Sequence, residues 1–218
     1  MSLLASRLHS AHSIQNALDW AYDKALNGMA GLDSAQELAD SYLSESDNLL
    51  DNVNALIRWQ NAKAGVSGFL TGLGGMITLP VAIPANITSI IFIQVRMAAA
   101  IAYMGGHDPR DEKVKTFIYL CLCGNVSKDI LKGIGIKVTG TVLNKLSAEV
   151  VNDISLSVST RFLSQLGQRS SVNLVKFIPF AGGLVSGLFD SVSTNIVGNI
   201  ARDIFIQSEI NPMLIQNK

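Results

Sequence analysis

Apolar residues recur at the spacing of an α-helix through the first part of the chain. The first such stretch has its apolar positions at Ile14, Leu18, Ala21 and Ala25. The turn Asn27-Gly28 closes it, and a second helix is predicted after Ser34, because Ser34 and Glu37 have the spacing of a capping box. A third helix has one apolar face, formed by Leu49, Val53, Leu56 and Ile57. The pattern predicts amphipathic helices over residues 1–62.

The next part of the chain is a long uncharged run. Between Lys63 and Arg96 no charged side chain occurs for 32 residues. The run contains Gly65, Gly68, Gly72, Gly74, Gly75, Pro80 and Pro84. Because proline breaks the helical hydrogen-bond ladder, we predict two helical pieces, at about 64–79 and 85 to about 104.

This apolar hairpin, residues 63–105, allows three interpretations. Its first piece is short for a membrane-spanning helix, for which about 20 residues are needed. Its second piece is long enough, but Arg96 lies near its middle, where a bilayer disfavours arginine by about 2.5–3.5 kcal/mol. The hairpin is therefore a buried core element, a segment that dips into a membrane, or a wall around an acyl chain.

After the hairpin, the residues again favour helices. Gly105 and Gly106 end one helix, and we predict that Asp108 caps the next, with Pro109 at its first position. Residues 127–168 carry a weaker pattern, in which helical spacing competes with strand-like alternation around residue 156. We predict helix there because no partner strand is visible.

Small residues mark the C-terminal third. Residues 177–189 are uncharged and Asp190 follows them. A stripe at about every fourth position is formed by Gly183, Gly187, Ser191, Thr194 and Gly198. Since Gly68 and Gly72 share this GxxxG spacing, which lets helices approach backbone to backbone, the two apolar segments are predicted to pack together or to leave a groove.

Composition narrows the class of protein. Charged residues make up 16% of the 218 residues, the mean hydropathy is +0.32, and 17 basic residues balance 17 acidic ones. A net charge of zero argues against a nucleic-acid partner. Cys121 and Cys123 are too few for a zinc site and poorly placed for a disulfide, so we predict reduced, buried thiols. With no secretory signal recognisable in residues 1–13, we expect a cytoplasmic protein.

No catalytic motif is recognisable. The nucleophile elbow, the phosphate-binding loop and the dinucleotide fingerprint are all missing from the sequence. His9 and His12 are one helical turn apart, but two ligands make a weak case for a metal. His107 beside Asp108 is interpreted as a loop histidine next to a helix cap. We predict no metal, no cofactor and no enzymatic activity.

Arg96 and Asp190 are charges in strongly apolar surroundings. An unpaired buried charge is costly, so one hypothesis is that the two segments meet and these residues form an ion pair. In the functional alternative, Arg96 receives an anionic head group at the mouth of an apolar groove. In the structural alternative it is an internal salt bridge or a residue whose charged end reaches the surface.

Several stretches resemble the EcsC protein family over about residues 17–205. They are 68–84, 94–103, 106–109, 178–183 and 193–198. The best-known members of this family are bacterial, and the family is named for a gene beside an ABC transporter. The resemblance implies a helical, membrane-associated protein and supplies no reaction.

We therefore expect a single compact all-α domain over residues 1–218, with amphipathic N-terminal helices (1–62), the apolar hairpin (63–105) and a helical C-terminal part (106–218). The expected function is non-enzymatic, at the inner face of the cytoplasmic membrane, through binding of a lipid or acyl chain or shallow insertion of the hairpin. The alternative is a soluble accessory module that docks a membrane transporter or its own copy, and a hydrolase is a distant third. The expected lipid-binding residues are Gly68, Gly72, Gly74, Gly75, Pro80, Pro84, Arg96, Gly183, Gly187 and Asp190.

Overall fold

A computed structural model describes residues 16, 18–29, 31–65, 85–135, 143, 146–171 and 183–206. For residues 65, 85–88, 162–171 and 183–192 it describes the backbone alone. Within these ranges the chain forms eight α-helices and no β-strand, which confirms the all-α prediction. The helices are α1 (residues 18–27), α2 (Ala35–Leu43), α3 (Leu49–Gly65), α4 (Ala85–Met104), α5 (Glu112–Leu122), α6 (Val126–Gly133), α7 (Ala148–Ser171) and α8 (Gly183–Phe205).

Local sequence signals place the first helices correctly. Gly28 ends α1 with a φ of +72°, a conformation that suits glycine. Before α2, the Glu37 backbone N–H donates to Ser34 Oγ at 3.2 Å, and the Ser34 backbone N–H donates to Glu37 Oε2 at 2.8 Å. The predicted capping box is therefore present. Of the predicted core positions, Leu49 is half-buried, Ile14 lies outside the described residues, and the rest are buried: Leu18, Ala21, Ala25, Val53, Leu56 and Ile57.

The second piece of the predicted hairpin is α4, which has the predicted bounds and lies in the core. Every residue from 91 to 102 is buried, because α4 packs against α2, α3, α5 and α8. Apart from Arg96, α4 carries no charged residue, and this follows from its burial by protein on every side. The first piece is different, since α3 continues through Gly65 and residues 66–84 lie outside the described part of the chain.

Helices α3, α4 and α8 form a central layer, and its contacts give the helix directions. Gln94 Nε2 on α4 donates to Thr194 Oγ1 on α8 at 3.3 Å, and Met97 lies beside Gly198, so these two helices run parallel. On α3, by contrast, Asn54 accepts from Arg202 and Ile57 lies beside Gly198, so α3 is antiparallel to both. Consequently the C-terminal end of α3 and the N-terminal ends of α4 and α8 lie at the same end of the layer.

The predicted cap of α5 is wrong by three residues. Asp111, not Asp108, is the N-cap, and its carboxylate accepts from the backbone N–H groups of Lys113 at 2.7 Å and Val114 at 3.3 Å. Asp108 instead begins a turn, in which its carbonyl oxygen accepts from the Asp111 N–H at 3.1 Å. Proline is favoured at the second position of such a turn, so Pro109 serves the turn rather than the helix.

This corrected cap gives a first testable prediction. Replacing Asp111 with alanine removes the acceptor for two backbone donors and should lower the free energy of unfolding by about 1 kcal/mol. Asp108→Ala is the matched control, since it removes an equal charge and one accepted backbone hydrogen bond, from Arg110 N–H at 2.8 Å, while leaving the two cap hydrogen bonds in place. Urea unfolding of the two variants should show a clearly larger loss for Asp111→Ala; an equal or larger loss for Asp108→Ala would contradict this assignment.

The weakly patterned part between residues 127 and 168 contains α6 and α7, so the choice of helix over strand is confirmed. Ile154 and Val158 are buried on one face of α7, whereas Leu156 is 69% exposed. The strand-like alternation therefore has no counterpart in the fold. Val138 and Gly140 lie outside the described residues, and the division into one domain over residues 1–218 stays a prediction.

Candidate functional site

Arg96 lies inside the helical bundle, on the turn of α4 that faces α2 and α3. The residue is 2% exposed. Its Nη1 donates to the main-chain carbonyl oxygen of Asp33 at 3.1 Å, and its Nη2 donates to Gln60 Oε1 at 3.5 Å. The guanidinium carbon lies 5.4 Å from the centroid of the Phe92 ring. Neutral oxygens and an aromatic ring thus surround a cation.

The charge of Arg96 has no ion-pair partner among the residues that the structure describes. Burial lowers the pKa of the guanidinium, while the Asp33 carboxylate and the Tyr42 hydroxyl act in the opposite direction. Arginine has so high a pKa that it stays protonated in proteins. A positive charge therefore remains in the core, where a charge without a counterion is costly.

A second cation lies close to the first. Lys63, on the last turn of α3, is half-buried. Burial and then the charge of Arg96 lower the pKa of its ammonium group, and the Asp33 carboxylate opposes them. The positive charges of Arg96 and Lys63 are thus opposed by a single carboxylate, that of Asp33, which is exposed to solvent. The local electrostatic balance is positive.

Two buried donors in the same place have no acceptor. Arg96 Nε and Gln60 Nε2 are both without a hydrogen-bond partner. Gln60 is 0% exposed, so solvent does not contact it directly. An unsatisfied buried donor costs about 1–3 kcal/mol. The site therefore has unused capacity to donate hydrogen bonds as well as an excess of positive charge.

The outer side of α3 carries a basic-aromatic face, which we define as Arg58, Trp59 and Lys63. Trp59 is 55% exposed and Arg58 is exposed as well. Lys63 Nζ lies 5.6 Å from the centroid of the Trp59 ring. The face occupies the last two turns of α3, immediately before the uncharged residues 66–84.

The sequence as a whole was compared with known proteins. The model of the EcsC protein family matches residues 4–206 of the 218. The chain belongs to the EcsC protein family. Comparisons with curated proteins and with solved structures give no match. Among the helices described for this EcsC-family protein, none has the length and hydropathy that crossing a membrane would require.

Most of the expected lipid-binding residues of this EcsC-family protein fall where the structure gives little or no detail. Those outside the described residues are Gly68, Gly72, Gly74, Gly75, Pro80 and Pro84. Gly183, Gly187 and Asp190 belong to the first turns of α8, where only the backbone is described. The hypothesis that Asp190 pairs with Arg96 therefore stays a prediction. Arg96 is the expected site residue that is placed in full detail.

The stripe of small residues on α8 is placed in part. Thr194 is 0% exposed and accepts from Gln94, and Ser193 accepts from the same amide at 3.2 Å. A Cβ at Gly198 would lie 2.9 Å from Ile57 and 3.1 Å from Met97. The described part of the stripe thus packs closely against α3 and α4. Gly68 and Gly72 lie outside the described residues, so the packing predicted between the two glycine-rich segments stays a prediction.

Sequence reasoning missed four residues at Arg96 and on the basic-aromatic face: Asp33, Gln60, Lys63 and Trp59. Gln60 had a detectable signal, because it lies three and four residues after Ile57 and Leu56 and so continues the buried face of α3 with a polar side chain. The part played by Asp33 had none. Its contact with Arg96 uses the main-chain carbonyl, which every residue possesses.

The other chemical candidates are structural where they are described. Cys121 and Cys123 are buried free thiols, and burial raises the pKa of Cys123 to about 12, which leaves it protonated and unreactive. His107 is buried against Phe205, with 5.5 Å between the ring centroids. The described residues contain no group of three or more His, Cys, Asp or Glu side chains that could hold a metal ion. His9 and His12 lie outside them.

Proposed function

We propose that this protein binds a membrane surface, at the inner face of the cytoplasmic membrane, and acts there without catalysing a reaction. The observation that supports this most is the position of the basic-aromatic face. Arg58, Trp59 and Lys63 stand at the end of α3 where the chain passes into the uncharged residues 66–84. Tryptophan favours the membrane–water interface, and lysine and arginine favour anionic head groups by about 1 kcal/mol each.

The directions of the helices support shallow insertion. Because α3 and α4 are antiparallel, the chain leaves α3 at Gly65 and enters α4 at Ala85 at the same end of the central layer. With both of its ends at one end of the bundle, a segment that inserts returns to the side of the membrane from which it entered. Residues 66–84 carry no charge and include seven large apolar side chains: Phe69, Leu70, Leu73, Met76, Ile77, Leu79 and Ile83.

The position of α4 limits which part inserts. Residues 91–102 are buried by neighbouring helices, so drawing α4 into a bilayer would take the core apart. The proposed membrane-binding part is therefore residues 66–84 together with the basic-aromatic face, and it is smaller than the hairpin of residues 63–105 expected from the sequence. Binding of this kind adds apolar burial to attraction by anionic lipids.

Vesicle binding tests the proposal. Trp59→Ser should weaken binding to phosphatidylglycerol vesicles about tenfold, or about 1.4 kcal/mol, which is close to the value of burying one large apolar side chain. Leu156→Ser is the matched control, since it removes an apolar side chain that is 69% exposed on α7. Co-sedimentation with vesicles measures both variants.

Fluorescence gives an independent measurement at the same residue. The chain has two tryptophans, so Trp20→Phe leaves Trp59 as the single emitter. Its emission should shift to shorter wavelength when phosphatidylglycerol vesicles are added. Binding that is unaffected by Trp59→Ser, together with an unshifted spectrum, would refute the proposal. Failure of the unaltered protein to bind vesicles would also refute it and would favour docking to a partner protein.

A further inference from the structure

We propose that Arg96, Gln60 and Lys63, which we call the Arg96 site, form a binding site for a phosphate or carboxylate anion, with the main-chain carbonyl of Asp33 holding Arg96 in place. Two sources provide such a group, the head group of an anionic lipid and a free anion. The lipid source rests on the proposed membrane function, whereas the free anion does not.

The first argument for an anion at this site is the charge of Arg96, which has no counterion among the described residues. Arg96 is 2% exposed and makes no ion pair within the described part of the chain, and after burial its charge is a cause of the lowered pKa of the Lys63 ammonium group. Arg202, which is part-buried on α8, has a carboxylate, because its Nη2 lies 3.2 Å from Asp203 Oδ1. A bound anion would supply Arg96 with the negative charge that Arg202 already has.

The second argument for an anion is that two buried hydrogen-bond donors have no acceptor. Arg96 Nε and Gln60 Nε2 lack acceptors, and both residues are more than nine-tenths buried. Gln60 Oε1 accepts from Arg96 Nη2, which holds the two side chains together and leaves the amide nitrogen free. Phosphate and carboxylate oxygens accept several hydrogen bonds at once, and arginine binds them with two donors.

The third argument is the position of the Arg96 site near the protein surface. Asp33 is exposed and Lys63 is half-buried, so the Arg96 site lies beneath the loop before α2 and beside the basic-aromatic face. The site therefore approaches the surface at the part of the molecule proposed to meet the membrane. An anionic head group at that surface would meet Lys63 first and Arg96 beneath it.

Gln60→Glu is the variant that tests the site without deleting a side chain. The substitution keeps the shape of the residue and places a carboxylate where Gln60 Oε1 already accepts from Arg96. It should raise the melting temperature of the protein without any added anion, and it should remove the response to an added one. Asn54→Asp is the matched control, because it makes the same change of charge on α3 beside Arg202, whose Nη1 lies 2.8 Å from Asn54 Oδ1.

The measurement is the melting temperature in inorganic phosphate and in short-chain phosphatidylglycerol, each against chloride at equal ionic strength. At a ligand concentration of about 100 times Kd the unaltered protein and Asn54→Asp should melt about 5–10 °C higher, and Gln60→Glu should not respond. A response to phosphate identifies a free-anion site, and a response to the lipid alone identifies a head-group site.

Three outcomes would overturn the Arg96 site: no response of the unaltered protein to either probe, a response that persists in Gln60→Glu, or a response that Asn54→Asp abolishes equally. These outcomes are independent of the membrane proposal, since Trp59→Ser should bind vesicles more weakly and keep its response to inorganic phosphate. A protein that binds vesicles but gives none of the predicted melting shifts would retain the membrane function and lose the anion site.

Discussion

Replacing Gly105 with alanine should lower the free energy of unfolding by about 3 kcal/mol, at the upper end of the usual cost of overpacking. Gly105 follows the last residue of α4 and lies against the last residue of α8. A Cβ at this position would overlap the carbonyl oxygen of Phe205 and come within 3.1 Å of its carbonyl carbon. Because these are backbone atoms inside a packed core, they have no side-chain rotation by which to move away.

Gly133→Ala is the control that separates steric overlap from the general effect of the substitution. Gly133 is the last residue of α6, and a Cβ there would meet no atom within 4 Å. Alanine should therefore raise the free energy of unfolding by up to about 1 kcal/mol through its better helix propensity. Urea unfolding of both variants gives opposite signs if the approach of α4 to Phe205 is real, and a neutral Gly105→Ala would show that it is not.

Gly105 also illustrates how far the sequence leads. Paired glycines after an apolar stretch predict a helix end, and α4 does end at Met104. The sequence around Gly105 does not reveal that the last residue of α8, 100 residues later in the chain, packs against this position. The local consequence of a glycine was predictable, and its tertiary reason was not.

Signals that act within a few residues were the reliable ones. Ser34 and Glu37 hydrogen-bond to each other's backbone, so these two residue types were enough to predict the start of α2. The turn before α5 failed because Asp108 and Asp111 are both suitable caps and Pro109 is suitable for either a turn or a first helical position. Only the observed hydrogen bonds from Lys113 and Val114 decide between them.

The Arg96 site shows the opposite case. The sequence marked Arg96 as a charge in apolar surroundings, which its burial confirms. Its contacts with Asp33 and Gln60 lie 63 and 36 residues away along the chain. They depend on which turn of α3 and which loop face α4, and hydrophobic spacing determines the buried face of a helix but not its neighbours. The sequence thus predicted Arg96 as a site residue but did not predict which residues contact it.

Replacing Gly198 with valine should also lower the free energy of unfolding by about 3 kcal/mol, because it overpacks the core. The position of a Cβ there would be 2.9 Å from both Cγ1 and Cγ2 of Ile57. Two branches on the Cβ of isoleucine restrict its side-chain rotation, so Ile57 cannot turn away cheaply. Met97, whose sulfur would lie 3.1 Å away, is more adaptable. Ile57 is therefore the residue that forbids a side chain at Gly198.

A double-mutant cycle tests this argument. Ile57→Ala alone opens a cavity and should cost about 2–5 kcal/mol. Combined with Gly198→Val it also removes the overlap and lets valine fill part of the space, so the double variant should be more stable than the sum predicts by at least about 1 kcal/mol. Leu131→Ala on α6, a helix that packs on α5 and α7, is the control partner and should add to Gly198→Val within about 0.5 kcal/mol. Equal additivity for both partners would mean that α3 and α8 are not in contact at Gly198, and the antiparallel arrangement that brings both ends of residues 66–84 to one end of the bundle would lose one of its two supports.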